Sequence, residues 1–496
     1  MGVAGADSAW SAREQAGLEE EAPIASAAMQ KILFALGALS LPISNIATAQ
    51  DKPMTLAEGA DKVLKHDMLA WDFVEGITTE VGPRQAGTEA EKRGRDWAVN
   101  WLTEQGFQNV ADEPFEMETW VPGDLHKAEI VSPFPQPLVI QPLGGSASTG
   151  PEGITAEVVE FETVADLFAA PAGSLEGKIA YISHSMTPTQ DGSQYSFAGP
   201  ARWVGAGIAK SKGAIATVIK SVGTDYHRNP HTGGTTFRRA DGSTDIGRVV
   251  PTPAGALSLP DAANLERMFD RADGRPIMMK LTLTPQNLGT TTSGNVVGEI
   301  VGRDPSLPPV LLACHIDSWW NAPGAFDDGA GCGIIAAAAL HVSHTGQPLR
   351  TIRVLMAGAE EVGLHGSVAY SKAHIDEPIG VAFESDFGAD RIWRFESNFR
   401  ETNPTLHAEL AKSVVRFGVA NSSITARGGA DINIARDQKT AIIDLQQDGT
   451  RYFDLHHTPD DTLDKIDPAQ LRQNVAVWTQ VAGILANYPA DIQTGE

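Results

Sequence analysis

Four short apolar segments, separated by stretches of helical composition, most strongly constrain the fold of this 496-residue chain. They are PVLLA, TIRVLMA, IGVAF and TAIIDL, at residues 309–313, 351–357, 379–383 and 440–445. Apolar runs of this length are typical of strands buried on both faces. The alanine-rich segment 332–342 and the closing segment 467–486, with Asp467 as N-cap and Pro468 in the first turn, predict helices. This alternation predicts an α/β fold with three layers around a mixed, mostly parallel sheet.

A segment rich in proline and glycine, at residues 122–151, marks a boundary between two structural units. Before it, Thr88 and Glu91 predict a capping box at the start of a helix. After it, short apolar strands and a helix of small residues predict a separate α/β unit. The expected divisions are the N-terminal part of the main domain at 50–135, an inserted domain at 136–287 and the main domain at 288–490.

The first 49 residues contain the pattern of an export signal. A basic tripeptide that begins at Met29 precedes the apolar run ILFALGALSLPI, and A-T-A follows at 47–49. This order is typical of a secretory signal peptide, and the apolar run is too short to cross a bilayer. We therefore expect a signal peptide at 29–49 and a periplasmic or secreted protein. Residues 1–28 are interpreted as an extension upstream of the true start codon, with a genuine tail before the signal as the alternative.

Net charge restricts the classes of partner. The chain has 38 basic and 62 acidic residues, a formal net charge of -24 and a pI near 4.9. Phosphate backbones and anionic lipid headgroups repel such a polyanion. We therefore expect no nucleic-acid partner and no membrane partner.

The chain has two cysteines, Cys314 and Cys332. An oxidising compartment would allow them to pair after export. Because nothing in the sequence fixes the distance between them, two buried free thiols are the favoured interpretation.

Histidines and carboxylates follow the apolar segments at the points where the strands should end. His315 and Asp317 follow the first segment, the pair Glu360-Glu361 follows the second, and Asp386 follows the third. Asp327, before the alanine-rich helix, and His456-His457, near the end of the chain, add further candidates. Ligands of open α/β sheets bind beyond the carboxyl ends of the strands, so these side chains should meet on one rim.

Imidazole and carboxylate groups without thiolate suit zinc or a similar borderline divalent cation. Five ligands with one shared carboxylate suffice for two adjacent ions. The spacing of His315 and Asp317 allows the carboxylate to accept the outer N–H of the imidazole ring. Side chains of adjacent residues at a strand end point in opposite directions, so one of Glu360 and Glu361 could bind metal while the other faces an attacking water. The pattern predicts a metal-dependent hydrolase.

Other chemistries lack their signatures. The sequence contains no G-x-S-x-G nucleophile elbow, no H-E-x-x-H helix and no phosphate-binding G-x-x-x-x-G-K-[ST] loop. His231 is interpreted as a loop-capping residue rather than a substrate contact. Isolated histidines are interpreted as structural rather than ligating: His341, His344, His365, His374 and His407.

The motifs CHIDSWWNAPGAFDDGAG, MAGAEEVGLHGS, FESDFGA and LHHTPDDT, in this order, resemble the co-catalytic zinc aminopeptidase and glutamate carboxypeptidase family. Within it, the plasma glutamate carboxypeptidase branch is the most similar, and the likeness extends over roughly residues 67–475. The resemblance implies two zinc ions per chain. Their ligands would be Asp327 on both ions, His315 and Asp386 on one, and Glu361 and His457 on the other. Glu360 would be the general base, and Asp317 would orient His315.

The same resemblance implies that residues 136–287 are a protease-associated domain, that the Asp327–Asp328 peptide bond is cis, and that the protein is a homodimer. This chain departs from the family pattern at Cys314, where glycine is more usual, and at Trp320, where some relatives carry Asp. The expected function is an exported zinc exopeptidase that hydrolyses dipeptides or short peptides. The alternatives are an inactive binding or receptor protein on the same scaffold, and a glutaminyl cyclase-like acyltransferase with a single zinc ion.

Overall fold

The computed structural model describes residues 54–236 and 251–496. The expected extension at 1–28 and the expected signal peptide at 29–49 lie outside the described residues, as does the segment 237–250. The described residues contain sixteen β-strands and thirteen α-helices. The strands are β1 (Gln108–Val121), β2 (His126–Ser132), β3 (Gln136–Leu138), β4 (Ile140–Pro142), β5 (Ile154–Phe161), β6 (Ile179–Ile182), β7 (Ala216–Lys220), β8 (Ala254–Leu257), β9 (Met278–Leu283), β10 (Gln286–Ile300), β11 (Val310–His315), β12 (Ile352–Ala357), β13 (Val381–Glu384), β14 (Ile392–Ser397), β15 (Ala420–Asn421) and β16 (Ala441–Gln447). The helices are α1 (Leu56–His66), α2 (Leu69–Gly76), α3 (Glu89–Glu104), α4 (Val164–Ala169), α5 (Tyr195–Trp203), α6 (Gly205–Ser211), α7 (Leu259–Arg271), α8 (Ala330–His344), α9 (His365–His374), α10 (Pro404–Val414), α11 (Asn433–Gln438), α12 (Tyr452–Leu455) and α13 (Pro468–Ala486).

The first sheet has eight strands in the order β1-β10-β12-β11-β13-β16-β14-β15. Its centre consists of β12, β11, β13 and β16, which pair in parallel and correspond to the four apolar segments of the sequence. Antiparallel pairs, β1 with β10, β10 with β12 and β14 with β16, flank this centre. The predicted α/β class with a mixed sheet is confirmed.

Side chains of β11 alternate between two layers of helices. Val310 and Leu312 lie in a core with α8 and α13, whereas Leu311 and Ala313 lie in another core with α9 and α11. The sheet is therefore the middle of three layers. The carboxyl ends of its parallel strands share one edge, where the candidate site lies.

Helix α8 is deeply buried in one of the two helix layers. Every residue from Ala330 to Leu340 is buried. Among the described residues, the stretch Ala325–His344 is long and apolar enough to cross a membrane by length and composition, yet 94% of its apolar window is buried inside the fold. Burial of this extent is typical of a core helix.

The second sheet lies between β1 and β10 along the chain, and its strand order is β3-β2-β9-β5-β6-β7-β8-β4. Strands β5 to β8 pair in parallel, and the outer pairs are antiparallel. On one face, Leu265 and Met268 of α7 pack against Tyr181 and Val218 of the strands. The loop after β7 reaches the candidate site described below.

The alternation of side chains along β11 also decides the state of the cysteines. Cys314 faces α8, and Cys332 lies in the first turn of that helix. Their Cα atoms are 5.2 Å apart, and the structure joins them in a disulfide. The interpretation as two free thiols is therefore wrong, because the fold brings together two positions that are 18 residues apart in sequence.

Replacing both cysteines with alanine is expected to lower the free energy of unfolding. A closed loop of about 15 residues is worth about 3 kcal/mol through the entropy of the unfolded chain. Urea unfolding followed by tryptophan fluorescence should show a lower midpoint for the double variant than for the wild type. Thiol titration should first show that the wild type contains no free thiols. An identical midpoint for the two proteins would then contradict a stabilising disulfide.

The predicted capping box at α3 forms only in part. Thr88 Oγ1 accepts a hydrogen bond from the backbone N–H of Glu91 at 3.4 Å. The Glu91 carboxylate instead accepts from the backbone N–H of Gly87, at 2.7 Å, and from the hydroxyl of Ser293. Burial, followed by the nearby charge of Asp317, raises the pKa of Glu91 to about 8. The side chain therefore links α3 to the first sheet rather than closing the helix.

Candidate metal centre

The five expected ligands come from separate segments that end on one edge of the first sheet. His315 is the last residue of β11, Asp386 follows β13, and Glu361 follows β12. Asp327 lies in the turn before α8, and His457 follows α12. The parallel strands bring these segments to the same edge, as the sequence predicted.

Asp327 lies between two histidines, one on each side of its carboxylate. Its Oδ1 atom is 3.1 Å from His315 Nε2, and its Oδ2 atom is 3.5 Å from His457 Nε2. Asp386 Oδ1 lies 3.4 Å from His315 Nε2, and Glu361 Oε2 lies 2.5 Å from His457 Nε2. The structure thus brings the five residues together as two groups that share Asp327.

Both histidines have their Nδ1 atoms against backbone carbonyl groups. His315 Nδ1 is 3.0 Å from the carbonyl oxygen of Asp317, and His457 Nδ1 is 3.0 Å from that of Thr232. Because a carbonyl oxygen can only accept, each Nδ1 carries the proton and donates it. Each Nε2 then faces the carboxylates, and it becomes the metal-binding nitrogen when a cation displaces any proton that it carries.

Several carboxylate oxygens in this cluster are buried and accept no hydrogen bond from a described residue. They are Asp327 Oδ2, Glu361 Oε1 and Asp386 Oδ1. A buried charged oxygen without a partner is costly, and each such group requires an explanation. Two imidazoles and three carboxylates without thiolate match the ligand preference of zinc and similar divalent cations. The residues therefore fit a metal centre.

Burial and neighbouring charges shift the pKa values of these carboxylates in different directions. Burial, followed by the negative charge of Asp327, raises the pKa of Glu361 well above its ordinary value, and burial likewise raises the pKa of Asp386. Burial opposes ionisation of Asp327, but its hydrogen bond with His315 and the neighbouring histidine charges outweigh burial and lower its pKa. A bound divalent cation would favour the ionised form of all three carboxylates.

Asp317 contacts His315 differently from the prediction. The shortest contact of His315 Nδ1 is with the backbone carbonyl of Asp317, whereas the carboxylate Oδ1 is 3.7 Å away. That Oδ1 accepts a hydrogen bond from the backbone N–H of Glu360 at 3.1 Å. The Asp317 side chain therefore fixes the backbone that carries the expected general base.

Two further acidic residues fix the loop that carries Asp327. Asp461 accepts hydrogen bonds from the backbone N–H groups of Phe326, at 2.6 Å, and Asp327, at 3.1 Å. Asp328 accepts from the backbone N–H of His315 at 3.3 Å. The Asp327–Asp328 peptide bond is cis, as the resemblance implied.

Residues 295–482 match the sequence pattern of peptidase family M28. The chain is 30% identical to Carboxypeptidase Q of Bos taurus over 414 residues, which covers 83% of this chain and 84% of the relative. The chain belongs to peptidase family M28. Carboxypeptidase Q of Homo sapiens is also 30% identical, over 420 residues that cover 83% of this chain and 84% of the relative. The resemblance stated from the motifs is confirmed, and with it the expectation of a metallo-exopeptidase.

Solved structures support this M28 assignment. The crystal structure of a peptidase M28 precursor from Shewanella amazonensis SB2B is 40% identical, with a TM-score of 0.82, and the match covers 88% of this chain and 97% of that one. BSAP, a zinc aminopeptidase from Bacillus subtilis, is 20% identical with a TM-score of 0.58, over 83% of this chain and 93% of its own. The second likeness shows a shared fold.

His456 and His457 are adjacent and stacked, with ring centroids 3.6 Å apart. His456 Nε2 lies 3.8 Å from Asp327 Oδ2, almost as close as His457. The contact with Glu361 distinguishes them, because His457 Nε2 lies 2.5 Å from that carboxylate. Nearness to two of the expected ligands therefore favours His457 over His456.

A cavity of about 610 Å³ opens onto this M28 metal centre. Asp327, Glu360 and His457 line one side, and residues of the second sheet and its helices line the other. Burial raises the pKa of Glu360 well above its ordinary value, although the positive charge of His315 acts in the opposite direction. The cavity is large enough for a small peptide.

Arg202, on α5, is a charged lining residue of this cavity that the sequence analysis did not single out. It is 7% exposed, and its Nη1 atom donates to the carbonyl oxygen of Thr232 at 3.1 Å. Its Nε atom is buried without a hydrogen-bond acceptor among the described residues. The guanidinium lies near the rings of Tyr195 and Trp203, which line the same cavity. An isolated arginine in a short helix has no sequence signature.

Three of the isolated histidines have hydrogen-bonding or ion-pair contacts with residues other than the five expected ligands. His341 Nε2 is 2.6 Å from Asp67, and His374 Nε2 is 3.1 Å from Glu113. His407 Nδ1 is 2.8 Å from the hydroxyl of Ser397. These contacts match the interpretation of such histidines as structural residues.

Proposed function

We propose that this chain is an exported zinc exopeptidase that hydrolyses dipeptides or short peptides. The observation that carries the proposal is the position of Asp327, whose two oxygens face two separate groups of potential ligands. One zinc ion would be held by His315, Asp327 and Asp386, and a second by Asp327, Glu361 and His457. When bound, such paired cations polarise a peptide carbonyl and acidify a water molecule.

Glu360 supplies the proton transfer in this proposal. Its carboxylate lines the cavity beside the metal ligands and is not needed as a ligand. It takes a proton from the attacking water and returns it to the nitrogen of the leaving amine. Asp317 keeps the Glu360 backbone in place through the hydrogen bond already described.

Arg202 is the proposed anchor for the free carboxylate of the substrate. A buried guanidinium nitrogen without an acceptor is costly, and a carboxylate is the natural bidentate partner of a guanidinium group. A Cβ atom on Gly233 would lie 2.4 Å from Arg202 Nη1 and 2.8 Å from His457 Nδ1, so the two side chains lie close together. An anchor this near the metal ligands suits a substrate with one residue beyond the scissile bond. The name of the Carboxypeptidase Q relatives agrees with this direction of cleavage.

Replacing Arg202 with Met is expected to lower kcat/KM for a dipeptide with a free carboxylate by about 10–100-fold, mainly through KM, because a hydrogen bond to a charged group is lost. The amidated dipeptide should be a poor substrate for the wild type and equally poor for the variant. Arg267→Met, an exposed position on α7, is the matched control. Equal rates for free and amidated substrates in the wild type would contradict this anchor.

Residues 136–287 are proposed to be a protease-associated domain, the protein a homodimer, and residues 29–49 a cleaved signal peptide. Mass spectrometry of the exported protein would locate its N-terminus, and light scattering would measure its mass in solution.

Metal analysis and a hydrolysis assay test the proposal as a whole. We expect about two zinc ions per chain, dipeptide hydrolysis that a chelator abolishes, and recovery of activity when zinc is added back. One ion per chain would favour the glutaminyl cyclase-like alternative. Bound metal without hydrolysis of any free peptide would favour the inactive binding protein.

A further inference from the structure

The metal centre takes one of its supports from the second sheet. The loop of residues 231–234, here called the clamp loop, follows β7 and contacts the turn that carries His456 and His457. The carbonyl oxygen of Thr232 accepts the hydrogen bond of His457 Nδ1 at 3.0 Å. The hydroxyl of Thr232 also accepts from the indole N–H of Trp319, at 2.6 Å, and that indole stacks on the His457 ring at 4.9 Å between centroids.

His231 makes the second contact of the clamp loop with this turn. It is fully buried, and its Nδ1 atom is 2.9 Å from the carbonyl oxygen of His456. Its Nε2 atom is 3.4 Å from Oδ1 of Asp225, a buried carboxylate whose oxygens accept no hydrogen bond from a described residue. The backbone N–H of His231 donates to Ser221 Oγ at 2.9 Å, which fixes the start of the loop. The imidazole therefore connects the second sheet to the backbone beside a ligand.

The turn held in this way has an unfavourable backbone conformation. His457 has a φ of 58°, which lies in the left-handed region that residues other than glycine seldom adopt. Such a conformation is strained and persists only where surrounding contacts impose it. The contacts of Thr232, Trp319 and His231 with this turn are of that kind.

We propose that His231 is a positioning residue of the metal centre, which holds the His456–His457 turn against the second sheet and so sets the affinity of the cation site formed by Glu361 and His457. This inference rests on the proposed role of His457 as a ligand. It revises the interpretation of His231 as a loop-capping residue. In this proposal the second sheet helps to retain the metal, in addition to lining the cavity.

Zinc affinity of the apo-protein, measured by competition with a chromophoric chelator, tests the inference. His231→Leu keeps the bulk of the side chain but removes both polar contacts. It should weaken one of two zinc sites by about 10–100-fold, the usual effect of removing a group that orients a ligand, and leave the other unchanged. His231→Asn keeps a donor near the Nδ1 position and should recover part of the affinity. His227→Ala is the control, because His227 is 67% exposed and faces the same Asp225 without a contact to His456.

Unchanged affinity at both sites in His231→Leu would overturn the inference. An equal loss at both sites in the Leu and Asn variants, with a lower unfolding temperature, would also overturn it, because the effect would then be general destabilisation. Recovery of His231→Leu activity by micromolar zinc, at concentrations where the wild type is already saturated, would support it. A wild type that binds no zinc would instead contradict the proposed function itself.

Discussion

Replacing Glu360 with Gln should lower kcat by about 10²–10⁴-fold, the usual contribution of a general acid–base group. The amide has nearly the shape of the carboxylate but cannot accept a proton from water at neutral pH. KM should change little, because the amide still fills the same place in the cavity. Stopped or continuous assays of dipeptide hydrolysis over a range of substrate concentrations would separate the two parameters.

The adjacent glutamate supplies the matched comparison. Glu361 lies 2.5 Å from His457, and its Oε1 atom has no hydrogen-bond partner among the described residues. Glu361→Gln should therefore reduce the zinc content, whereas Glu360→Gln should retain it. If Glu360→Gln also lost zinc, Glu360 would be a ligand. If it retained full turnover, proton transfer would belong to another group.

The central sheet could be predicted because each of its parallel strands is a short apolar run, and β11 alone shows why. Its alternate residues meet helices on both faces, so neither face needs polar side chains. The long flanking strand β1 carries no such signal, because half of its residues are exposed and its burial alternates irregularly. Its partner β10 is buried only in its second half. The two strands pair across more than 160 residues that contain the second sheet, and a local pattern cannot reveal so distant a pairing.

His315, Glu361 and Asp386 could be located from the sequence because strand ends in a parallel sheet share one edge, whereas the set of five ligands came from the resemblance of the motifs to a known family. The contacts that support them come from elsewhere in the chain. Thr232 lies 225 positions from His457 in the sequence. It binds His457 through its backbone carbonyl group, which every residue type has, so the residue type does not reveal the contact. Arg202 and Cys314 were missed or misinterpreted for a related reason, because their roles depend on which side chains the fold places opposite them.

Asp327→Asn should have the largest effect on the metal centre, because Asp327 is the carboxylate that both groups of ligands share. Asparagine has one acceptor oxygen and no charge, so it can serve at most one of the two histidine-bearing groups. The zinc content should fall from two ions to one or fewer, and kcat should fall by more than about 10³-fold, because both the cations and the water they acidify are affected.

The loop that carries Asp327 should survive this substitution, since Asp461 holds its backbone N–H groups and not its side chain. Near-ultraviolet circular dichroism should therefore match the wild type. Asp460→Asn is the control, because Asp460 contacts His227 in the neighbouring turn and none of the five ligands. Zinc should raise the unfolding temperature of the wild type and the control by mass action, and that of Asp327→Asn much less. An equal rise in all three proteins would mean that the cation binds without Asp327, and the shared-carboxylate assignment would be wrong.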